Sequence, residues 1–267
     1  MVFESFINAG KHPAFSRLAL LGFAAPFAAG ISSYYLFKPW AGISLLFLTV
    51  ILIIPAMYKI IDEEEKITEH IDTENEFIEE YGHLMVALVG LFIGLTAAYF
   101  IMNLVLPTDL RTLFFSIQQN DMHALNGQLV GGEALSQILK NNFSVLGISI
   151  VLSFFYGLGS ILVVVWNSAL VASAMSSFFI EYAATGSTAG GLFFSITRYL
   201  VHGIPEISGY MIAGLAGSIL SIAVMKHQFR TKAWHDVLSA SMQLFAISAV
   251  IIVIAAIIEV QLTPWLH

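Results

Sequence analysis

His202-Gly203-Ile204-Pro205-Glu206 sets an imidazole and a carboxyl group four residues apart, with a glycine and a proline between them, inside an otherwise apolar run. Such groups can hold a proton, bind a cation or anchor a hydrogen-bonded joint between helices. A charge at the centre of a bilayer helix costs about 3 kcal/mol or more, so it must face protein or water and not lipid. Pro205 has no amide proton and disfavours the α conformation at Ile204, while Gly203 readily ends a helix, so the motif predicts a helix break at 203–205. His202 would then sit at the negative end of one half-helix and Glu206 at the positive end of the next, each dipole favouring the charged form. Counted from Leu192, His202 falls roughly 15 Å deep, near the bilayer midplane. Broken helices at that depth bind ions or substrates, or serve as buried joints.

Other polar residues fall at related depths. Asn167 reaches mid-membrane when counted from Ser160, and with His202 and Glu206 it makes either one buried polar network or an ion site. Gln243 lies about two turns from the inner surface. Arg198 and Glu259 both fall toward the outer side, where they either pair across two helices or extend separately to the headgroups. A metal centre is not expected. Catalytic zinc takes at least three protein ligands, and the chain has neither a His-Glu-x-x-His helix nor any close histidine pair beside His202. Gly157-Leu158-Gly159-Ser160 is not a nucleophile elbow, and the glycines between 186 and 191 lack the lysine of a phosphate-binding loop. With no cysteine, thiol catalysis, disulfides and thiolate-bound metal all drop out. The sequence therefore predicts no catalytic residues and no cofactor.

The elements that carry these residues follow from composition. Of the 267 residues 58% are hydrophobic and 11% charged, in apolar runs near 20 residues long, which defines a polytopic all-α membrane bundle. Seven spans are expected, at 18–37, 41–61, 84–106, 143–156, 160–182, 192–224 and 237–262, with the sixth broken at Gly203 and Pro205. The first is expected to stay as an anchor, since no small-x-small cleavage pattern accompanies it. The run from 143 to 181 is too long for one ordinary span, and Tyr156-Gly157-Leu158-Gly159 offers a turn in its middle. With seven spans, Lys11, Arg17, Lys59, Lys66, Lys226, Arg230 and Lys232 share one side, so the positive-inside rule puts the N-terminus in the cytoplasm and the C-terminus outside.

Three further features shape the division 1–61, 62–82 and 83–267. Residues 62–80 hold ten of the eighteen acidic residues, with Ile67, Ile71, Ile78 and Tyr81 at helical spacing. A free-standing acidic amphipathic helix is expected at 62–82, as a solvated cytoplasmic connector or a docking segment. The external loop 107–142 carries two apolar stripes, Leu110/Leu113/Phe114/Ile117 and Leu135/Ile138/Leu139, which predict two short helices separated at Asn126-Gly127 and Gly131-Gly132. Small residues recur every four positions at Gly90/Gly94/Ala98, Ser168/Ala172/Ser176 and Gly209/Ala213/Gly217/Ser221. Such seams let helices approach closely, within the chain or, for the last of them, in a homodimer.

The motif at 202–206 followed by Ile212-Ala213-Gly214-Leu215-Ala216-Gly217, the upstream Gly157-Leu158-Gly159-Ser160 with Asn167, and the closing Ile258-Glu259 with Thr263-Pro264 resemble the stage II sporulation protein M family of integral membrane proteins. The resemblance covers the final half of the chain and implies a five-span core from Leu84 onward. The matching residues are Asn167, His202, Gly203, Glu206 and Glu259, and the family assigns them no catalytic mechanism. It implies a multi-pass cell-membrane scaffold that organises membrane or envelope proteins and is not an enzyme. The lipid bilayer is its other partner, and nucleic acid is not expected. The alternative from the residues themselves is a transporter or permease-like subunit binding an ion, proton or small solute at Asn167, His202 and Glu206. An intramembrane hydrolase comes last, for want of a nucleophile.

Overall fold

A computed structural model describes residues 13–68, 74–128, 134–156, 159–225 and 232–262. Their α-helices are α1 (Pro13–Leu36), α2 (Ala41–Thr68), α3 (Glu74–Val105), α4 (Thr108–Gln128), α5 (Ala134–Tyr156), α6 (Ser160–Ala183), α7 (Thr188–Met225) and α8 (Lys232–Leu262), with a single 3-10 turn at Lys38–Trp40. No strand occurs among the described residues. Among the described residues six segments are long and apolar enough to cross a membrane: Phe15–Leu36, Lys38–Met57, Met85–Val105, Ala134–Phe155, Ser160–Ala183 and Val237–Gln261. The expected sixth span lies in α7, which is not among these six. Its 38 residues make it roughly 57 Å long at 1.5 Å per residue.

The predicted break does not form. α7 runs unbroken through Gly203 and Pro205. A proline inside a helix removes one donor, here the one that would reach the Val201 carbonyl, and this kinks a long helix without ending it when neighbours hold both halves. Neighbours are present, since α7 packs on α5, α6 and α8. Pro26 in α1 and Pro55 in α2 are likewise carried inside continuous helices.

Residues 62–68 belong to α2 and residues 74–82 to α3, and residues 69–73 of the acidic segment lie outside the described residues. Helix formers such as glutamate and lysine let an apolar helix continue into water past its membrane portion. In the 107–142 loop, α4 continues through Asn126-Gly127, and the second stripe belongs to α5, which starts at Ala134. Gly131-Gly132 lies outside the described residues. The division between α5 and α6 does fall where the Tyr156-to-Gly159 turn was expected, although Gly157 and Leu158 themselves are not described.

The chain divides into two compact units, 1–116 and 117–267. In the first unit α3 packs mainly on α1, and α1 on α2. Glycines set the α1–α3 distance: a Cβ at Gly90 would lie 2.6 Å from the Phe15 carbonyl oxygen, one at Gly22 2.6 Å from that of Leu91, and one at Gly94 would overlap that of Ala19. Leu91, Phe92, Leu95 and Tyr99 are fully buried against this seam. Phe114 and Phe115 of α4 are buried as well, the Phe115 ring meeting Tyr99 edge-on at 6.0 Å. The Tyr99 hydroxyl donates to Thr49 Oγ1 at 3.1 Å, tying α3 to α2.

In the second unit α7 is the common neighbour of α5, α6 and α8. The turn after α6 is tight because Gly186 adopts φ +101°, a conformation that glycine takes without a Cβ penalty. Residues approaching along α5 pair with residues approaching along α7, Ser149 with Tyr210 and Ile150 with Gly217, so these two helices run parallel. A Cβ at Gly217 would lie 2.7 Å from the Ile150 carbonyl oxygen, and one at Gly209 3.0 Å from Ile252 of α8. At Gly209 and Gly217 the glycine seam is thus occupied within the chain, the first of the two uses expected for it.

Candidate functional site

An unbroken α7 changes what its polar residues do together. Arg198, His202, Glu206 and Tyr210 recur every four residues, so they climb one face of the helix at roughly 6 Å per step. His202 and Tyr210 are buried and Glu206 is half-buried. Facing them on α5 is a second stripe, Asn142, Leu146, Ser149 and Ser153, all buried.

Hydrogen bonds join the two stripes. Asn142 Nδ2 donates to Glu206 Oε1 at 2.5 Å, and Asn141 Nδ2 donates to Asn142 Oδ1 at 3.3 Å. Ser149 Oγ donates to the Tyr210 carbonyl at 2.7 Å, and the Ser160 amide at the start of α6 donates to Ser153 Oγ at 3.0 Å. Of these ties, Asn142–Glu206 joins α5 to α7 through a side chain from each helix.

Around them the charges are balanced by rings and by one another. The Arg198 guanidinium lies over the Phe178 ring of α6 at 5.0 Å and over Tyr199 at 5.7 Å. Cation–π contacts of this kind offset part of the desolvation of a buried cation. Glu259, one turn from the end of α8, lies within electrostatic reach of Arg198 and of Glu206. Arg198, Glu206 and Glu259 therefore form one electrostatic cluster contributed by α7 and α8. It extends inward from the end of the unit where α5 and α7 begin and α6 and α8 finish.

Asn167 spends its amide on the Val163 carbonyl of its own helix at 2.8 Å, and it is Asn142 that meets Glu206. Asn142 was read as the last residue of a loop. The signal that would have found it is the spacing of Asn142, Leu146, Ser149 and Ser153, which is a helical stripe beginning before the apolar run. His202 is buried beside the Tyr199 ring at a centroid distance of 6.3 Å, and its Nδ1 has no hydrogen-bond partner. Gln243 on α8 is exposed from the unit's interior. Among the described residues no group of three or more His, Asp or Glu side chains is placed to hold a metal ion.

Continuous helices long and apolar enough to cross a bilayer, with charged residues gathered between helices and apolar side chains facing out, define a multi-pass α-helical membrane protein. The family model described as stage II sporulation protein M matches residues 83–264, which runs from within α3 to the end of α8 and includes Asn142, Arg198, His202, Glu206 and Glu259. The chain belongs to the stage II sporulation protein M family. No curated protein and no solved structure matches it.

Proposed function

We propose that this protein is a scaffold of the cell membrane that organises membrane or envelope partner proteins and performs no catalysis itself. The observation that carries this reading is the use α7 makes of its polar residues. Glu206 is bonded to Asn142 of a neighbouring helix, Arg198 rests on Phe178, and glycines close the rest of the α5–α7 contact, which is the construction of a rigid joint. A joint of this kind holds helix ends in fixed positions, which suits the presentation of a docking surface by the 107–142 segment. Crosslinking in the native membrane should recover a reproducible set of partner proteins. Recovery of none, together with solute or ion uptake by the purified protein in liposomes, would contradict the reading.

A second reading rests on His202, whose buried and unpartnered Nδ1 lies one turn from Glu206. A buried imidazole one helical turn from a carboxyl group suits proton or cation binding, as in a transporter or permease-like subunit.

For orientation we propose the N-terminus inside and the C-terminus outside, with α7 as the sixth of seven spans. Because the chain has no cysteine, single thiols can be introduced at Glu64, Gln128 and His267 and probed with an impermeant reagent on intact cells. Glu64→Cys should be protected and the other two labelled. Labelling of Glu64→Cys, or protection of both others, would reverse the assignment.

A further inference from the structure

The first unit carries a groove of about 420 Å³ that the joint in the second unit does not explain. Its walls are Phe27, Ile31 and Tyr35 of α1, Met102 and Val105 of α3, and Leu110 of α4. Ile31, Tyr35 and Val105 are 64%, 78% and 75% exposed, so the groove opens sideways along the helices and is not sealed. One end has a different chemistry. Tyr34 also lines it, and Lys38 Nζ stands 5.3 Å from the centroid of the Tyr34 ring. Tyr35, Phe37 and Trp40 are exposed at the same end, an aromatic cluster of the kind that marks the headgroup level of a bilayer. Two further charges stand in the first turn of α4, Asp109 and Arg111, so the three charges here sum to one positive.

An apolar channel running along spans and finishing in a lysine at headgroup level matches one kind of molecule. We propose that the groove binds an anionic phospholipid, one acyl chain lying between α1 and α3 and the phosphate held at Lys38. Lysine is suited to this as a flexible, strongly hydrated point charge, and its hydrocarbon stem can lie on Tyr34 while the ammonium reaches the phosphate. The site is independent of the scaffold reading and of the Asn142–Glu206 joint.

Native mass spectrometry of the detergent-purified full chain tests it, with phosphatidylglycerol and phosphatidylcholine of identical acyl chains as the probes. One phosphatidylglycerol should be retained per chain, about fivefold more tightly than phosphatidylcholine, which is the worth of one lysine at an anionic lipid surface. Lys38→Gln should erase that preference, weakening phosphatidylglycerol binding more than phosphatidylcholine binding. Val105→Trp, which fills the groove from an exposed position, should weaken both lipids, and Ile31→Trp should do the same from the opposite wall. Equal affinity of the wild type for the two lipids would overturn the proposal, as would undiminished binding in both tryptophan variants. So would a photocrosslinker at Val105 that captures a second copy of the chain or another protein in place of lipid.

Discussion

Replacing Gly94 by leucine should destabilise the protein by about 3 kcal/mol and sharply lower the amount recovered folded from the membrane. The Cβ alone would overlap the Ala19 carbonyl oxygen, a backbone atom of α1 that cannot rotate aside as a side chain can. Relief requires α1 and α3 to separate, which opens voids along Leu91, Leu95 and Ala98, all of them fully buried. Gly147 on α5 is the matched control, since a Cβ there meets nothing within 4 Å. Gly147→Leu should therefore stay within about 0.5 kcal/mol of the wild type. Thermal midpoints in the same detergent decide the matter. Midpoints lowered equally in both variants would mean that close approach at the Gly94 seam does not control stability.

The second large effect is expected at the α5–α7 tie. Glu206→Leu leaves the Asn142 amide buried without its acceptor, and Asn142→Leu leaves the Glu206 carboxyl without its donor. Each should cost about 1 to 3 kcal/mol, the penalty of orphaning a buried polar group. The double variant removes both groups together and should be less destabilised than the sum of the singles by about 1 kcal/mol or more. Denaturation of the four proteins in one detergent completes the cycle. Strict additivity would show that the two side chains do not act on each other.

The class of fold was legible from the residues because lipid permits few alternatives. Apolar runs of span length must become helices, and the glycine spacing at 90/94 and 209/217 marked faces that the structure packs against Ala19 and Ile150. The motif at 202–206 stood out in the sequence because charge within a span has to find a partner. Its geometry was less legible. Pro205 carries a local preference for a break, but α5, α6 and α8 hold both sides of it, and that support comes from residues distant in sequence. The same limit explains Asn142. Its pairing with Glu206 spans 64 residues, and a boundary drawn where the apolar run begins hid the polar turns of α5 that precede it. Charged helix formers carry α2 on to Thr68 and start α3 at Glu74, beyond the bounds that hydropathy alone gives the spans.

Glu206→Gln tests most directly whether the polar residues of α7 build a joint or serve a path. Glutamine keeps the shape of glutamate and an oxygen that can accept from Asn142, and it removes the charge. Thermal stability in detergent and partner capture in the native membrane should be measured side by side on the wild type, the Gln form and the Leu form. A scaffold predicts that the Gln form stays close to the wild type on both measures while the Leu form melts lower. A Gln form that folds as well as the wild type yet loses its activity in the host would contradict that account and assign Glu206 to proton or cation binding.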